Sequence, residues 1–393
     1  MGMQTRRNLS LPARLARLAV MLAVLLPGSG TVAAAAAPER ASDRVAGPAA
    51  ELSLILGRPT GRTITLSVLS ATVIEIVVEY GIAPGAYMAK TGVRTCQAGI
   101  PCEVELGSLQ PDTRYRYRLL ARTSGRSEFR PQPGGVFHTQ RAPGGTFTFA
   151  IQGDSHPERE GRMYDFELYA QTLRDVVKDA PDFYLAMGDD FSIERLIGRQ
   201  ALSQAAVDQV YARQRPFLGM VGRSAALFLV NGNHEQAARY LLDGTADSAA
   251  VLAGRARTRF YPLPAPDGFY TGDADEIKFV GRLRDYYAWT WGDALLVVID
   301  PYWHYARQER DGVVYQSCPN PADPTYQAFN REAYRSGDIL PNSGHLRVTV
   351  SPEKVRVDYV RSYLPQDATA AHPDGEVARS YEITAAAGGK HHE

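Results

Sequence analysis

The chain has 393 residues with 43 basic and 43 acidic side chains, a length typical of two domains. Its first 37 residues carry four arginines and no acidic residue, so the remainder has a formal net charge near −4. Nucleic-acid binding requires a basic field, which this balance lacks, and we expect no nucleic-acid partner. After residue 37 no run of about 18 apolar residues occurs, which predicts no stable membrane span.

Residues 1–37 have the pattern of a cleaved export signal. Four arginines precede and enter an apolar run at 18–26, and small residues follow at 32–37. The apolar run is too short for a spanning helix, although a membrane anchor is the alternative interpretation. We therefore expect an exported protein, periplasmic or secreted, with residues 38–50 as a linker.

Residues 51–140 have the pattern of an all-β domain. Apolar residues alternate with polar ones at 63–68 and 115–119, and clusters of glycine and proline separate the apolar runs. The string from Leu109 to Tyr115 resembles the tyrosine corner of fibronectin type III domains, in which the tyrosine hydroxyl bonds to upstream backbone. This resemblance implies a small β-sandwich that carries no chemistry of its own.

Three cysteines occur in the chain. Cys96 and Cys102 are close in sequence, and an exported protein matures where disulfides persist, so we expect them to form a bridge that closes a small loop. Cys318 is then left over. No pattern of nucleophile and base surrounds it, so we interpret it as an inert, buried thiol.

Beyond the boundary at residues 143–145, from residue 146 to residue 365, strands alternate with helices. This alternation predicts an α/β sheet, and ligands of such sheets bind beyond the carboxyl ends of the strands. Helical spacing of apolar residues ends at Pro181 and, in a second stretch, near Pro216. The predicted strands lie at 146–152, 183–187, 226–230 and 294–299.

Each of the first three strands ends in a short polar motif: Gly153-Asp154-Ser155-His156, Gly188-Asp189-Asp190 and Gly232-Asn233-His234-Glu235. The motifs offer carboxylate, imidazole and amide donors, which suit a pair of divalent cations that activate water and neutralise a phosphoryl group. His234, which follows Asn233 in the third motif, is available as a proton donor. Each motif alone is also typical of a turn. Their order and shared position at strand ends favour one site over three coincidental turns.

At these motifs the chain resembles the calcineurin-like metallophosphoesterases, and its domain order is similar to that of purple acid phosphatases. The resemblance implies a layered α/β/β/α sandwich in which Asp154 and His156 bind the first metal and Asp189 bridges. It also implies that Asn233 binds the second metal and that His234 contacts phosphate or acts as a general acid. Ser192 replaces the tyrosine of purple acid phosphatases, so we expect Mn, Fe or Zn ions without a tyrosinate ligand.

The histidines that complete the family's second metal site are mostly absent. Residues 300–303 run directly into a string, beginning at His304, that resembles the end of the family's last histidine motif. We interpret this as an internal deletion near 303–304, which leaves His304 as a candidate ligand and makes the second metal site doubtful. His345 opens an alternating strand and is interpreted as structural. Residues 366–393 are expected to form a C-terminal tail.

Two functional hypotheses follow from this partial site. The first is an exported metal-dependent phosphoesterase that acts on a small phosphate ester, or a form descended from one with reduced activity. The second is a non-catalytic secreted or periplasmic binding protein derived from such an enzyme. The aromatic residues at 286–291 are candidates to line a substrate pocket, but alternating aromatics near a strand are more often core residues.

Overall fold

The computed structural model describes residues 18–22, 52–123, 125, 127–300, 318–328 and 340–384. The first described element is strand β1, Leu18–Leu22, which lies within the predicted export signal. None of the helices in these ranges combines the length and the apolar character that crossing a membrane requires.

The first domain is a β-sandwich of two antiparallel sheets with an apolar core between them. One sheet has the order β2-β3-β7 and the other β5-β4-β8-β9, with β6 also paired to β4. The strands are β2 Leu52–Gly57, β3 Ile64–Ser70, β4 Ile74–Gly81, β5 Ala89–Lys90, β6 Arg94–Cys96, β7 Cys102–Leu106, β8 Arg114–Thr123 and β9 Arg130–His138.

Two local predictions for this domain are confirmed. The backbone N–H of Gln110 donates to the hydroxyl of Tyr115 at 2.9 Å, which is the bond of a tyrosine corner. Cys96 and Cys102 form a disulfide, with their Cα atoms 5.3 Å apart. The bridge joins the ends of β6 and β7 and closes the short loop between them.

The second domain contains two sheets and a layer of helices. Its six-stranded sheet has the order β12-β11-β10-β16-β17-β18, and the four-stranded sheet has the order β1-β15-β14-β13. The elements are β10 Phe147–Gln152, α1 Phe166–Lys178, β11 Phe183–Ala186, α2 Glu194–Gly198, α3 Gln204–Gly222, β12 Ala226–Leu229, α4 Ala249–Phe260, β13 Thr271–Gly272, β14 Tyr287–Trp291, β15 Ala294–Val298, β16 Gly344–Val350, β17 Lys354–Arg361 and β18 Val377–Thr384.

The two sheets of the second domain face each other across an aromatic core. The rings of Phe228 and Trp289 stack with centroids 4.2 Å apart, and the rings of Phe149 and Phe183 stack at 4.8 Å. Helices α1, α3 and α4 bury their apolar residues against the other face of the six-stranded sheet. Three layers of the expected α/β/β/α sandwich are thus seen, while no second helical layer occurs among the described residues.

Two features differ from the sequence-based expectations. Pro216 lies inside α3, which continues to Gly222, because buried residues on both sides of it pack into the core. Strand β18 pairs with β17, so the sheet extends past residue 365, where the predicted tail begins. The predicted deletion near 303–304 and the candidate ligand His304 lie outside the described residues.

Candidate metal centre

The three polar motifs meet at one edge of the six-stranded sheet. Strands β10, β11 and β12 are adjacent and parallel, so the loops that follow them leave the sheet side by side. One donor atom from each of His156, Asp189 and His234 lies within 4.8 Å of the others. The prediction from strand order that these motifs converge is therefore confirmed.

Unusual backbone conformations bring the loops this close. His156 and Asp189 both adopt left-handed conformations, with φ of 52° and 55°, and Gly188 has φ of 102°. A Cβ atom on Gly188 would lie 2.2 Å from the backbone nitrogen of Gly232, so only glycine fits between the second and third motifs. The N–H of His156 donates to the carbonyl of Asp189 at 3.0 Å and ties the first motif to the second.

The His156 ring is oriented for ligation through Nε2. Its Nδ1 lies 2.9 Å from Oε1 of Glu158, and this contact favours a proton on Nδ1 and a lone pair on Nε2. Nε2 lies 3.6 Å from Oδ2 of Asp154 and 3.7 Å from Oδ2 of Asp189. Burial lowers the pKa of His156, but the carboxylates of Asp154 and Glu158 outweigh burial, so its pKa is raised overall.

Asp189 is a buried carboxylate, only 4% exposed. Its Oδ1 accepts a hydrogen bond from the backbone N–H of His234 at 2.8 Å. Burial and the negative charges of Glu235 and Asp154 raise its pKa. A carboxylate in such surroundings is expensive to keep charged without a cation beside it.

The donor set fits a divalent cation. Donor atoms in a tetrahedral zinc-type site, with metal–ligand bonds of about 2.1 Å, are separated by roughly 3.4 Å. The 3.6 and 3.7 Å separations of His156 Nε2 from the two carboxylates come close to that value. The mixture of imidazole and carboxylate donors suits Mn, Fe or Zn. Half-exposed Asp154 and half-buried Asn233 lie on the same motif loops as the clustered donors.

His234 was predicted to contact phosphate or to act as a general acid. In the structure it also lies close to the candidate metal ligands. Its ring meets the ring of His156 edge-on with centroids 5.0 Å apart. Its Nδ1 lies 3.1 Å from Oε2 of Glu194, and its Nε2 lies 3.3 Å from Nη2 of Arg159. The geometry therefore allows His234 to serve as a ligand or as a hydrogen-bond donor to substrate.

Glu235 is a residue whose role the motif did not reveal. Its carboxylate is 1% exposed and accepts hydrogen bonds from four backbone N–H groups. The donors lie in the second and third motif loops, so one side chain fixes the spacing between them. The glutamate of the Gly-Asn-His-Glu motif is visible in the sequence, but only the folded loops show that it accepts backbone N–H groups.

Asp190 belongs to a second buried polar group behind the cluster. Its Oδ1 accepts hydrogen bonds from Ser155 and from Gln152, and the hydroxyl groups of Tyr169 and Tyr184 donate to the amide oxygen of Gln152. Burial raises the pKa of Asp190 well above its usual range. These hydrogen bonds hold the first and second motif loops together beneath the candidate metal ligands.

Other candidate residues are not among the clustered donors. His345 is buried in β16, with Nε2 2.7 Å from Oδ2 of Asp179, which agrees with its structural interpretation. Tyr287, Trp289 and Trp291 belong to the core between the sheets, which is the alternative that their alternating pattern favoured. Burial of the Cys318 thiol raises its pKa to about 12, as expected for an unreactive cysteine.

An α/β domain that gathers carboxylate and imidazole groups beyond three parallel strands is typical of a metal-dependent hydrolase. Residues 147–360 match the family model of calcineurin-like phosphoesterases, which is more than half of the chain. The protein therefore belongs to the calcineurin-like phosphoesterase family. No curated protein sequence matches the chain.

Two solved structures share the fold of most of the chain. The structure of PhoD aligns with 84% of this chain and 88% of its own, with a TM-score of 0.52 and 12% identity. The purple acid phosphatase PPD1 from seeds of yellow lupin, Lupinus luteus, aligns with 84% of this chain and 74% of its own, with a TM-score of 0.50 and 11% identity. Identities this low establish the fold alone.

Proposed function

We propose that this protein is an exported metal-dependent phosphoesterase that hydrolyses small phosphate esters. The observation that carries this proposal is the convergence of His156, Asp189 and His234 within 4.8 Å at the ends of three parallel strands. Family membership supports the class of reaction. The proposal of export rests on the arginine-rich, apolar pattern of residues 1–37 alone.

The side chains divide the work of such a reaction between them. Asp154, His156 and Asp189 would hold a divalent cation, with Glu158 orienting the imidazole. In sites of this kind the cation supplies charge for the phosphoryl oxygens and a water of lowered pKa. His234 has a side chain that is 17% exposed, and its Nε2 faces the donor-only guanidinium of Arg159. It can donate to the phosphoryl or leaving-group oxygen when Nε2 carries a proton.

The number of cations is part of the proposal. The family resemblance implies two, with Asn233 on the second, whereas the clustered donors among the described residues suit one. We infer that one cation binds tightly and that the second, if bound, depends on ligands from residues 301–317, which include His304. Reduced activity relative to a complete two-metal site follows from this difference.

The test is metal content and turnover of the purified full chain. With added Mn²⁺ the wild-type protein should bind metal and hydrolyse an aryl phosphate. Asp189→Asn should lower bound metal and decrease turnover by at least about 100-fold, since even outer residues of metal sites change activity by about 10–100-fold. Asp247→Asn, the same substitution on an exposed loop, is the matched control.

Two results would contradict the proposal. One is the absence of turnover in wild-type protein that carries metal, which would favour a non-catalytic binding protein. The other is unchanged metal content in Asp189→Asn.

A further inference from the structure

The guanidinium group of Arg159 contacts the candidate metal cluster directly. Arg159 ends a short 3-10 helix, Pro157–Arg159, that follows His156 without a break. Its Nη2 lies 3.3 Å from Nε2 of His234, and its side chain is 28% exposed. The guanidinium is thus neither sealed in the core nor free in solvent, but lies at the rim of the site.

The position of Arg159 is tied to that of a predicted ligand. Oε1 of Glu158 lies 3.3 Å from Nε of Arg159 and 2.9 Å from Nδ1 of His156. One carboxylate therefore holds both the imidazole and the guanidinium. A guanidinium has five N–H donors in a rigid fork, so donors remain after these contacts.

The negative charge of the cluster gives the positively charged Arg159 a role in binding an anionic substrate. Glu158 is already paired with His156 and Arg159, and the other two carboxylates, Asp154 and Asp189, would balance one divalent cation and leave no surplus positive charge for a substrate. A phosphate monoester brings up to two further negative charges, whereas a diester brings one. The described residues cluster donors for one metal position, so a monoester at that position needs positive charge from a side chain as well.

We propose that Arg159 binds the phosphoryl group of the substrate and makes the site selective for phosphate monoesters over diesters. Guanidinium groups bind phosphate oxygens in a bidentate manner, and such charged hydrogen bonds are stronger than neutral ones. The terminal phosphoryl group of a monoester has three non-bridging oxygens to offer, while a diester has two. This inference rests on the proposed function, because it names the substrate class of the same site.

The experiment compares Arg159→Gln, Arg159→Lys and the control Arg162→Gln, an exposed arginine in the same loop. We would measure bound Mn²⁺, kcat/KM for an aryl phosphate and for a bis-aryl phosphate, and the affinity for inorganic phosphate by calorimetry. Arg159→Gln should lower kcat/KM for the monoester by about 10–100-fold and for the diester by much less, because hydrogen bonds to charged groups are worth about 1.5–3 kcal/mol.

Further readouts separate substrate binding from a structural role. Arg159→Gln should weaken binding of inorganic phosphate by about tenfold or more with bound Mn²⁺ unchanged, and Arg159→Lys should recover part of the loss. Arg162→Gln should match the wild type in every measurement. Equal losses on both esters, or a loss of bound Mn²⁺ in Arg159→Gln, would overturn the inference and show that Arg159 only positions His156 and His234.

The inference and the proposed function fail in different ways. Absence of turnover in Mn²⁺-loaded wild-type protein contradicts the proposed function, yet phosphate binding still decides the role of Arg159. If wild-type protein binds inorganic phosphate and Arg159→Gln binds it more weakly, the anion site stands. If both bind it equally, or if the wild type does not bind it, the inference is overturned.

Discussion

Glu235 shows how much of the site depends on a residue that touches no substrate. Its carboxylate accepts N–H groups from Asp189 at 3.0 Å, Asp190 at 2.8 Å, Phe191 at 3.2 Å and Gly232 at 2.7 Å. A carboxylate is acceptor-only and offers lone pairs to all four donors. The loops that carry Asp189 and the third motif are therefore held by one buried anion.

We predict that Glu235→Gln lowers the free energy of unfolding by about 2–4 kcal/mol and weakens metal binding. The amide group keeps the shape but turns N–H donors toward backbone N–H groups that were bonded to an oxygen, which leaves buried donors unsatisfied. Denaturant unfolding and Mn²⁺ titration would measure the two effects. Glu160→Gln, an exposed glutamate, serves as the control, and an unfolding free energy within about 0.5 kcal/mol of the wild type for Glu235→Gln would contradict the prediction.

The sequence predicted the site residues that directly follow strands. It did not predict the site residues whose position depends on the backbone conformation of a loop. Asp154, His156 and Asp189 follow apolar runs, so the rule for parallel sheets is enough to place them together at one sheet edge. Glu158 and Arg159 reach the site because His156 adopts a left-handed conformation and a 3-10 helix follows it. No pattern of residue types specifies that local geometry.

At the scale of elements, helix α3 joins the two domains through a buried arginine. Arg215 is fully buried and donates to the carbonyl and hydroxyl oxygens of Ser67 and to the carbonyl of Phe260. Burial lowers its pKa to about 10. Because Ser67 lies in β3 of the sandwich, the helix that supports the candidate site is bonded to the first domain.

We predict that Arg215→Leu destabilises the protein by about 3 kcal/mol or more. The leucine would leave several buried oxygens without a donor, and each costs about 1–3 kcal/mol. Thermal or denaturant unfolding would measure the change. Arg213→Leu removes an exposed arginine two residues earlier in the same helix and should change stability by less than about 0.5 kcal/mol. Equal effects of the two substitutions would show that the interdomain bonds of Arg215 contribute little.

Helix and strand periodicity predicted most elements, but packing decided where some of them end. Pro216 has no N–H, and a helix was expected to stop there. Phe217 and Leu218 are buried just after it, so the apolar contacts of α3 outweigh the lost hydrogen bond. The tyrosine corner at Tyr115 was predictable because it depends on a short string alone.

At the scale of the whole molecule, the order of the domains was predictable and the contacts between them were not. The hydroxyl of Tyr117 donates to the carbonyl of Arg223, and the hydroxyl of Tyr270 donates to the carbonyl of Pro59. Residues far apart in sequence make these bonds, and no local pattern indicates such partners. The sandwich is therefore hydrogen-bonded to the second domain, a contact that its own sequence did not reveal.

Strand β1 covers one edge of the four-stranded sheet, so cleavage of the predicted export signal would change the solubility of the protein. Strand β1 pairs in parallel with β15, Ala294–Val298, and lies within residues 1–37. Cleavage of the signal would remove β1 and leave the β15 backbone groups that face β1 without that strand as a partner, while the pairing with β14 remains. Leu295 and Val297 lie half-buried on the face of β15 that points away from the core, so the uncovered edge would be apolar. Edges of this kind pair with other chains.

We predict that a chain beginning at residue 38 self-associates through β15 and that Val297→Lys prevents it, since an edge lysine opposes pairing between strands. Size-exclusion chromatography with light scattering, over a range of protein concentrations, would report the oligomeric state. Ala288→Lys places the same charge on the same face, on the neighbouring strand β14, and should leave association unchanged. If both lysines prevent association, added charge rather than the edge is responsible. If the unsubstituted chain stays monomeric, the β15 edge is covered by another part of the molecule.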